Sequence, residues 1–254
     1  MTTLVVGATG ATGRLLIRDL LNRGLNVKVI VRSPDKLPED IRAHERLSVT
    51  RANVLDLSSN ELAQVVDGCG AVASCLGHNL NLRGIYGQPR MLVTDSVRRL
   101  CDAIKSTKPA VSVRFVLMNT AGNSNRDIPE RLSFAESSAL ALLRLLTPPL
   151  VDSEKSADYL RTMIGKNDRM IEWVVVRPDT LTDESEVTRY DLHPSPIRSA
   201  IFNAGVTSRI NVGHFMADLM TKDELWNQWK GQMPVIYNKV PVQSPQRIKP
   251  ETSS

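Results

Sequence analysis

The amino-acid sequence predicts an α/β chain built on a doubly wound parallel sheet with a small C-terminal cap. Two observations carry this: short apolar, β-rich runs recur between longer segments of helical periodicity, and a glycine-rich turn joins the first run to the first helix. Strands are expected at residues 3–6, 26–31, 47–50, 71–75, 113–118 and 173–177. Their apolar residues are near-continuous rather than alternating, as strands buried on both faces require. Leu16, Leu20 and Leu21 give the first helix its inner stripe, and Leu92, Val93, Ser96, Val97, Leu100, Cys101 and Ile104 give another. Right-handed crossovers through such helices wind the sheet in both directions.

A chain of 254 residues suits one large domain, near the size at which single cores stop growing. One domain over residues 1–254 is expected, with 178–240 as a substrate-side cap and 241–254 as a flexible tail. With 42% apolar and 23% charged residues, the composition excludes disordered and fibrous classes. The net charge of +5 comes from 32 basic residues scattered among 27 acidic ones, and aromatics are only 4%, so no nucleic-acid platform is evident. Cys69, Cys75 and Cys101 lack paired spacing, and His44, His78, His193 and His214 form no ligand cluster, so no metal is expected. With no secretory leader and no bilayer-length apolar run, a cytoplasmic protein with no membrane partner is expected. A small-molecule substrate and possible homodimerisation complete the expected partners.

Residues 123–149 form a long excursion after the fifth strand. Within it, Ser133 and Glu136 make a capping-box signature for a helix running to about Leu146. That helix is apolar around most of its circumference, which predicts burial in preference to a lid or a subunit contact.

The glycine-rich turn reads Gly7-Ala-Thr-Gly10-Ala-Thr-Gly13. Between a strand and a helix each glycine serves differently, with a tight turn at Gly7, backbone approach to a pyrophosphate at Gly10, and helix-to-strand packing at Gly13. Thr9, Ala11 and Thr12 lie in the same loop, where the helix start offers unpaired N–H groups to phosphates. Arg32, directly after the second strand, stands where an NAD site would place an acid for the ribose hydroxyls. Arginine suits a 2′-phosphate, with Ser33 adding a hydrogen bond, so the expected cofactor is NADP(H). Asp35 follows Pro34 and reads as a turn residue.

The glycine spacing resembles that of the atypical short-chain dehydrogenase/reductases, a Rossmann-fold family, in the branch of NmrA-like proteins and flavin and biliverdin reductases. Asn53-Val-Leu-Asp56 resembles the family's adenine-side segment, with Asn53 in place of the usual acid beside Val54. Ala73-Ser-Cys-Leu-Gly77 resembles the segment that passes the cofactor, which implicates Leu76 and Gly77. Met118-Asn-Thr120 resembles the strand end whose hydroxyl faces nicotinamide. Lys155-Ser-Ala-Asp-Tyr-Leu160 and Trp173-Val-Val-Val-Arg-Pro178 resemble the lysine helix and the last core strand, and 209–220 is a fainter match to a terminal helix.

The resemblance implies roles for Thr120 and Lys155 at the reacting end and a cofactor contact at Pro178. Catalytic members carry Tyr-x-x-x-Lys on one helical face, the lysine lowering the phenol's pKa. Here Val151 stands four residues before Lys155, and none of Tyr86, Tyr159, Tyr190 or Tyr237 has a lysine four residues later. His78, beside Asn79, is expected to be a surface-loop histidine. The function implied is NADP(H)-dependent hydride transfer to a small conjugated acceptor such as a flavin or quinone. The alternative is an NmrA-like NADP(H)-binding redox sensor or assembly factor without turnover.

Overall fold

The computed structural model describes residues 1–78, 85–130 and 133–239. Six parallel strands follow the predicted order: β1 (Thr2–Val6), β2 (Asn26–Val31), β3 (Leu47–Arg51), β4 (Cys69–Ser74), β5 (Val113–Met118) and β6 (Ile171–Pro178). Three later segments, β7 (Thr180–Thr182), β8 (Tyr190–His193) and β9 (Val206–Ser208), precede β10 (Val235–Asn238). The main sheet runs β3-β2-β1-β4-β5-β6-β10-β8, parallel except for β8 at its edge, while β7 and β9 pair separately.

The winding reverses between β1 and β4, so the crevice at their carboxyl ends is a topological switch point, where open α/β sheets bind ligands. β1 shows why its apolar run is uninterrupted. Val5 packs in one core and Leu4 and Val6 in the other, all fully buried. The helices are α1 (Ala11–Asn22), α2 (Glu39–Arg42), α3 (Ser59–Val66), α4 (Leu92–Thr107), α5 (Phe134–Leu146), α6 (Pro148–Tyr159), α7 (Arg209–Thr221) and α8 (Asp223–Trp229). On one face α1 lies against α7, and on the other α4 lies between α3 and α6. A Cβ on Gly213 of α7 would stand 3.1 Å from the Leu16 amide nitrogen, so α7 leaves little room for a side chain there.

The segment 178–240 divides between layers. Its β8, β10, α7 and α8 belong to the central sheet and its flanking layer, whereas β7 and β9 pair with one another outside the main sheet. The tail expected at 241–254 lies outside the described residues.

The expected burial of the excursion helix is corrected. α5 forms, and Ser133 Oγ caps it by accepting from the Glu136 amide at 3.1 Å, yet only Glu136 and Leu140 are buried. Phe134 is 90% and Leu145 79% exposed. Polar tethers hold this helix in place of apolar packing. Ser199 Oγ donates to the Glu136 carboxylate at 2.7 Å, Arg144 pairs with Glu154 at 2.7 Å, and the Tyr86 hydroxyl donates to the Leu146 carbonyl at 3.0 Å. Periodicity reports how apolar a helix is but not what covers it. Among the described residues no single helix is long and apolar enough to cross a membrane.

At the end of β6 the Arg177 guanidinium is fully buried, and four of its five N–H donors are engaged. It donates to the carbonyls of Met233, Asn123 and Pro194 at 2.7, 2.7 and 3.1 Å, and to Glu130 Oε1 at 2.7 Å. Removing one partner of such a buried pair leaves an uncompensated charge. Arg177→Ala is therefore expected to lower unfolding free energy by about 3–5 kcal/mol, read from urea denaturation. A loss under about 1 kcal/mol would show that the network does not hold these segments together.

Candidate functional site

The switch-point crevice contains a cleft of about 160 Å³, lined by the turn after β1, the end of β2, the segment after β3, the turn after β4 and the first residue of α4. Gly7, Thr9, Gly10, Arg32, Asn53, Val54, Leu76 and Gly77 line it. Ala8, Ile30, Val31, Ala52, Cys75 and Leu92 also line it and were not predicted from the sequence. Cys75 was within reach as part of the quoted 73–77 segment, while Leu92 gave no signal beyond helical periodicity.

The glycines divide the labour geometrically. Gly7 has φ +76°, and a Cβ there would lie 2.4 Å from the Cys75 carbonyl carbon, so only glycine fits the turn. A Cβ on Gly13 would lie 2.3 Å from the Gly7 carbonyl oxygen, which makes it the packing glycine. Gly10 is exposed at the N-cap of α1 and donates its N–H to the Gly7 carbonyl at 3.0 Å, and a Cβ there would crowd the same carbonyl oxygen at 3.2 Å. A Cβ on Gly77 would meet nothing within 4 Å. Ala11, Thr12 and Gly13 form the first turn of α1, which has no side-chain cap and no acidic residue. An uncapped helix start beside an open glycine cradle fits a phosphate-bearing ligand.

At the rim Arg32 is exposed and has no ion pair among the described residues. Ser33 beside it is half-buried and precedes a 3₁₀ turn over Pro34–Lys36, in which Asp35 is exposed. Asn53 is held in its own turn, accepting from the Leu55 amide at 3.4 Å and donating to Asp56 at 3.3 Å. Burial alone pushes the Cys75 thiol up to about 12, so this cleft cysteine stays protonated and unreactive.

The residues expected at the reacting end follow β5 and lie on α6. Thr120 is half-buried, and its hydroxyl accepts from the Gly122 amide at 3.2 Å, which caps the turn. Asn119 fixes that turn to α6, donating to the Ser153 carbonyl at 2.8 Å while accepting from the Thr120 amide at 2.9 Å. Lys155 is exposed on α6 and has no ion pair among the described residues, and Pro178 is buried at the end of β6. Neither Thr120, Lys155 nor Pro178 lines the cleft itself. Desolvation pushes Tyr159 and Tyr190 up to about 12, so neither is poised as an acid near neutrality.

His78 is corrected from a surface-loop residue to a buried one. Its side chain is 6% exposed, and Nε2 lies 2.7 Å from Oδ2 of Asp152, which is fully buried. The same carboxylate accepts from the Val93 and Thr94 amides at 2.8 and 2.9 Å, so Asp152 satisfies the N-terminus of α4 from another helix. An acceptor so placed makes His78 Nε2 the donor. Asp152 left no mark in the sequence, because its partners lie 59, 58 and 74 residues away. Asn79 lies outside the described residues.

Comparison with known proteins agrees with this fold. A solved short-chain dehydrogenase/reductase from Veillonella parvula, in complex with NADP, superposes with a TM-score of 0.67 at 17% identity, covering 93% of this chain and 94% of that one. A candidate NADH-flavin reductase from Streptococcus pneumoniae superposes with a TM-score of 0.63 at 18% identity, covering 94% and 100%. An uncharacterized chloroplastic protein of Arabidopsis thaliana is 28% identical over 190 residues, which span 73% of this chain and 66% of that relative. The NAD(P)H-binding family model matches residues 7–223, which include the whole glycine turn, the cleft and the core strands after β1, and the chain belongs to that family.

Proposed function

We propose that the chain is an NADP(H)-dependent oxidoreductase that delivers hydride to a small conjugated acceptor such as a flavin or quinone. The observation that carries this reading is Arg32, without an ion pair among the described residues, at the rim of a glycine-built cleft none of whose described lining residues is a tyrosine. A bound nicotinamide supplies the hydride, and the chain's own residues bind and orient. Backbone amides of the Gly7–Gly13 turn and the α1 start hold the pyrophosphate, and Arg32 with Ser33 takes the 2′-phosphate. Asn53 and Val54 border the adenine, and Leu76 and Gly77 pass along the dinucleotide. Lys155, free to swing from α6, bonds the nicotinamide ribose, and Thr120 borders the ring at the end of β5.

With Val151 one turn ahead of Lys155, the chain offers no phenol there to protonate a simple carbonyl. A flavin or quinone takes its proton from water, so it needs no such group. The partner is thus a small organic molecule, with neither nucleic acid nor membrane involved. The unpaired thiols of Cys69, Cys75 and Cys101 suit a reducing, cytoplasmic compartment. A second reading, an NmrA-like sensor or assembly factor that binds NADP(H) without turnover, is favoured by the same valine and by the Thr120 hydroxyl being engaged with Gly122.

Arg32→Ala is expected to weaken NADPH by about 1.5–3 kcal/mol, the scale of a charged hydrogen bond, and to leave NADH unchanged in calorimetric titration. Equal affinity of the parent protein for both dinucleotides would remove the 2′-phosphate assignment. Gly10→Val puts a side chain into the cradle, its Cβ 3.2 Å from the Gly7 carbonyl oxygen, and is expected to abolish dinucleotide binding while circular dichroism remains native. Tight binding by that folded variant would place the dinucleotide elsewhere.

Turnover separates the two readings. NADPH oxidation is expected with a quinone or a free flavin and to be slow with cyclohexanone, since general acid catalysis is worth about 10²–10⁴-fold. Val151→Tyr is expected to recover part of that factor on the ketone. Rapid ketone reduction by the parent protein would mean that another group supplies the proton, and no turnover on any acceptor with tight NADPH binding would leave the sensor reading.

A further inference from the structure

The apolar face of α5 is open to solvent. Phe134 and Leu145 are almost fully exposed and Leu142 and Leu146 at least half exposed, and the small Ser138 and Ala141 are exposed between them on the same side of the helix. The opposite side, at Glu136 and Leu140, is the one that faces the chain. Glu136 and Arg144 are the charged residues of α5, and both are engaged by tethers, to Ser199 and Glu154. Those tethers also mark the margins of the face. Tyr86, bonded to the Leu146 carbonyl, and Phe202, whose amide donates to the same Ser199 hydroxyl, are exposed beside it.

The size of this face separates it from scattered surface leucines. It amounts to roughly 600 Å², at the top of the range for apolar patches on monomers, and pairing it with an equal face buries about 1,200 Å², where stable interfaces begin. A helix that lies on a bilayer carries lysines and arginines beside its apolar stripe, whereas α5 has one arginine, and that one is paired. Residues 240–254 offer only Val240, Val242 and Ile248 as large apolar side chains, too few to cover the face. An uncharged stripe also gives a foreign partner no charge pattern by which to be selected.

A second copy fits because the face is complementary to itself. Large residues stand at its ends, Phe134 at one and Leu145 at the other, with small ones at its centre. Turned end for end, a second α5 sets its Leu145 against Phe134, its Ala141 against Ser138 and its Ser137 against Leu142. Small residues at the crossing let two helix axes approach to about 8 Å. We propose that this face joins two copies of the chain in a twofold dimer, with the two α5 helices antiparallel. No residue of α5 lines the dinucleotide cleft, so the dimer does not depend on what that cleft holds or on whether turnover occurs.

Sedimentation equilibrium on the full chain reads the association, with circular dichroism as the check on folding. The parent is expected to dimerise with a dissociation constant at or below about 10 µM. Phe134→Glu and Leu145→Lys are each expected to weaken association by at least about ten-fold with native circular dichroism, since both side chains are exposed and each new charge suits its end of the helix. An equimolar mixture of the two variants is expected to associate several-fold more tightly than either alone. In the mixed dimer one contact regains phenylalanine on leucine, and the other sets the new carboxylate against the new ammonium. The proposal is overturned by a parent that stays monomeric at about 100 µM, by an association that neither variant weakens, or by a mixture no tighter than its components. Flotation of the parent with phosphatidylglycerol vesicles, lost in Phe134→Glu, would give the face to a membrane and overturn it as well.

Discussion

Backbone meets backbone where β1, β4 and α1 converge, and the arrangement of the site follows from that contact. A Cβ on Gly7 would lie 2.4 Å from the Cys75 carbonyl carbon, and one on Gly13 would lie 2.3 Å from the Gly7 carbonyl oxygen. Side chains at either position would push the three elements apart, so two glycines set how closely the first turn seats on the neighbouring strand. Since β1 and β4 flank the reversal of the sheet, their closeness brings the α1 N-terminus to the edge of the switch-point crevice. The recognition surface is therefore made largely of main chain, and α7 supports α1 from behind through its own close approach at Gly213.

Elsewhere the carboxyl edge is organised by two buried charges. Asp152 belongs to α6 yet satisfies the first amides of α4 and holds His78, so three segments share one carboxylate. Arg177 does the corresponding work one strand further out, joining the end of β6 to the loops at 123–130, 194 and 233. Among the described residues the side-chain bonds of both groups are all directed at the chain itself. Their consequence for function is geometric: they fix α6 and the chain after β5, which carry Lys155 and Thr120.

The six core strands were legible in the sequence because a strand buried on both faces needs an unbroken apolar run, and Leu4-Val5-Val6 or Val174-Val175-Val176 leaves few alternatives. The glycine turn was legible because its chemistry is local. What escaped depends on distant partners. The leucines of α5 suggested burial, but what covers a helix is decided by elements far along the chain, and here polar tethers hold it instead. His78 looked like a loop residue since nothing near it names Asp152. Arg177 stood out only as half of an Arg-Pro pair, while the carbonyls that make it structural lie up to 56 residues away.

The two halves of the candidate site also differ in how they respond to mutation. A cradle built from amides and glycine φ angles persists under most side-chain changes nearby, since few of them alter the backbone path. In the proposed reading proton delivery to a carbonyl would rest on one phenol, and Val151 stands at that place on α6, which Asp152 ties to α4. In that reading dinucleotide binding and carbonyl chemistry are thus separable, since the former does not need the phenol that the latter does. An acceptor that carries its own electron sink and draws protons from water loses little by that separation, because the chain need only bring it against the nicotinamide and exclude competing geometry. The same separability lets a chain of this kind keep its ligand for a purpose other than turnover, so the choice between the two readings lies with the acceptor and not with the cradle.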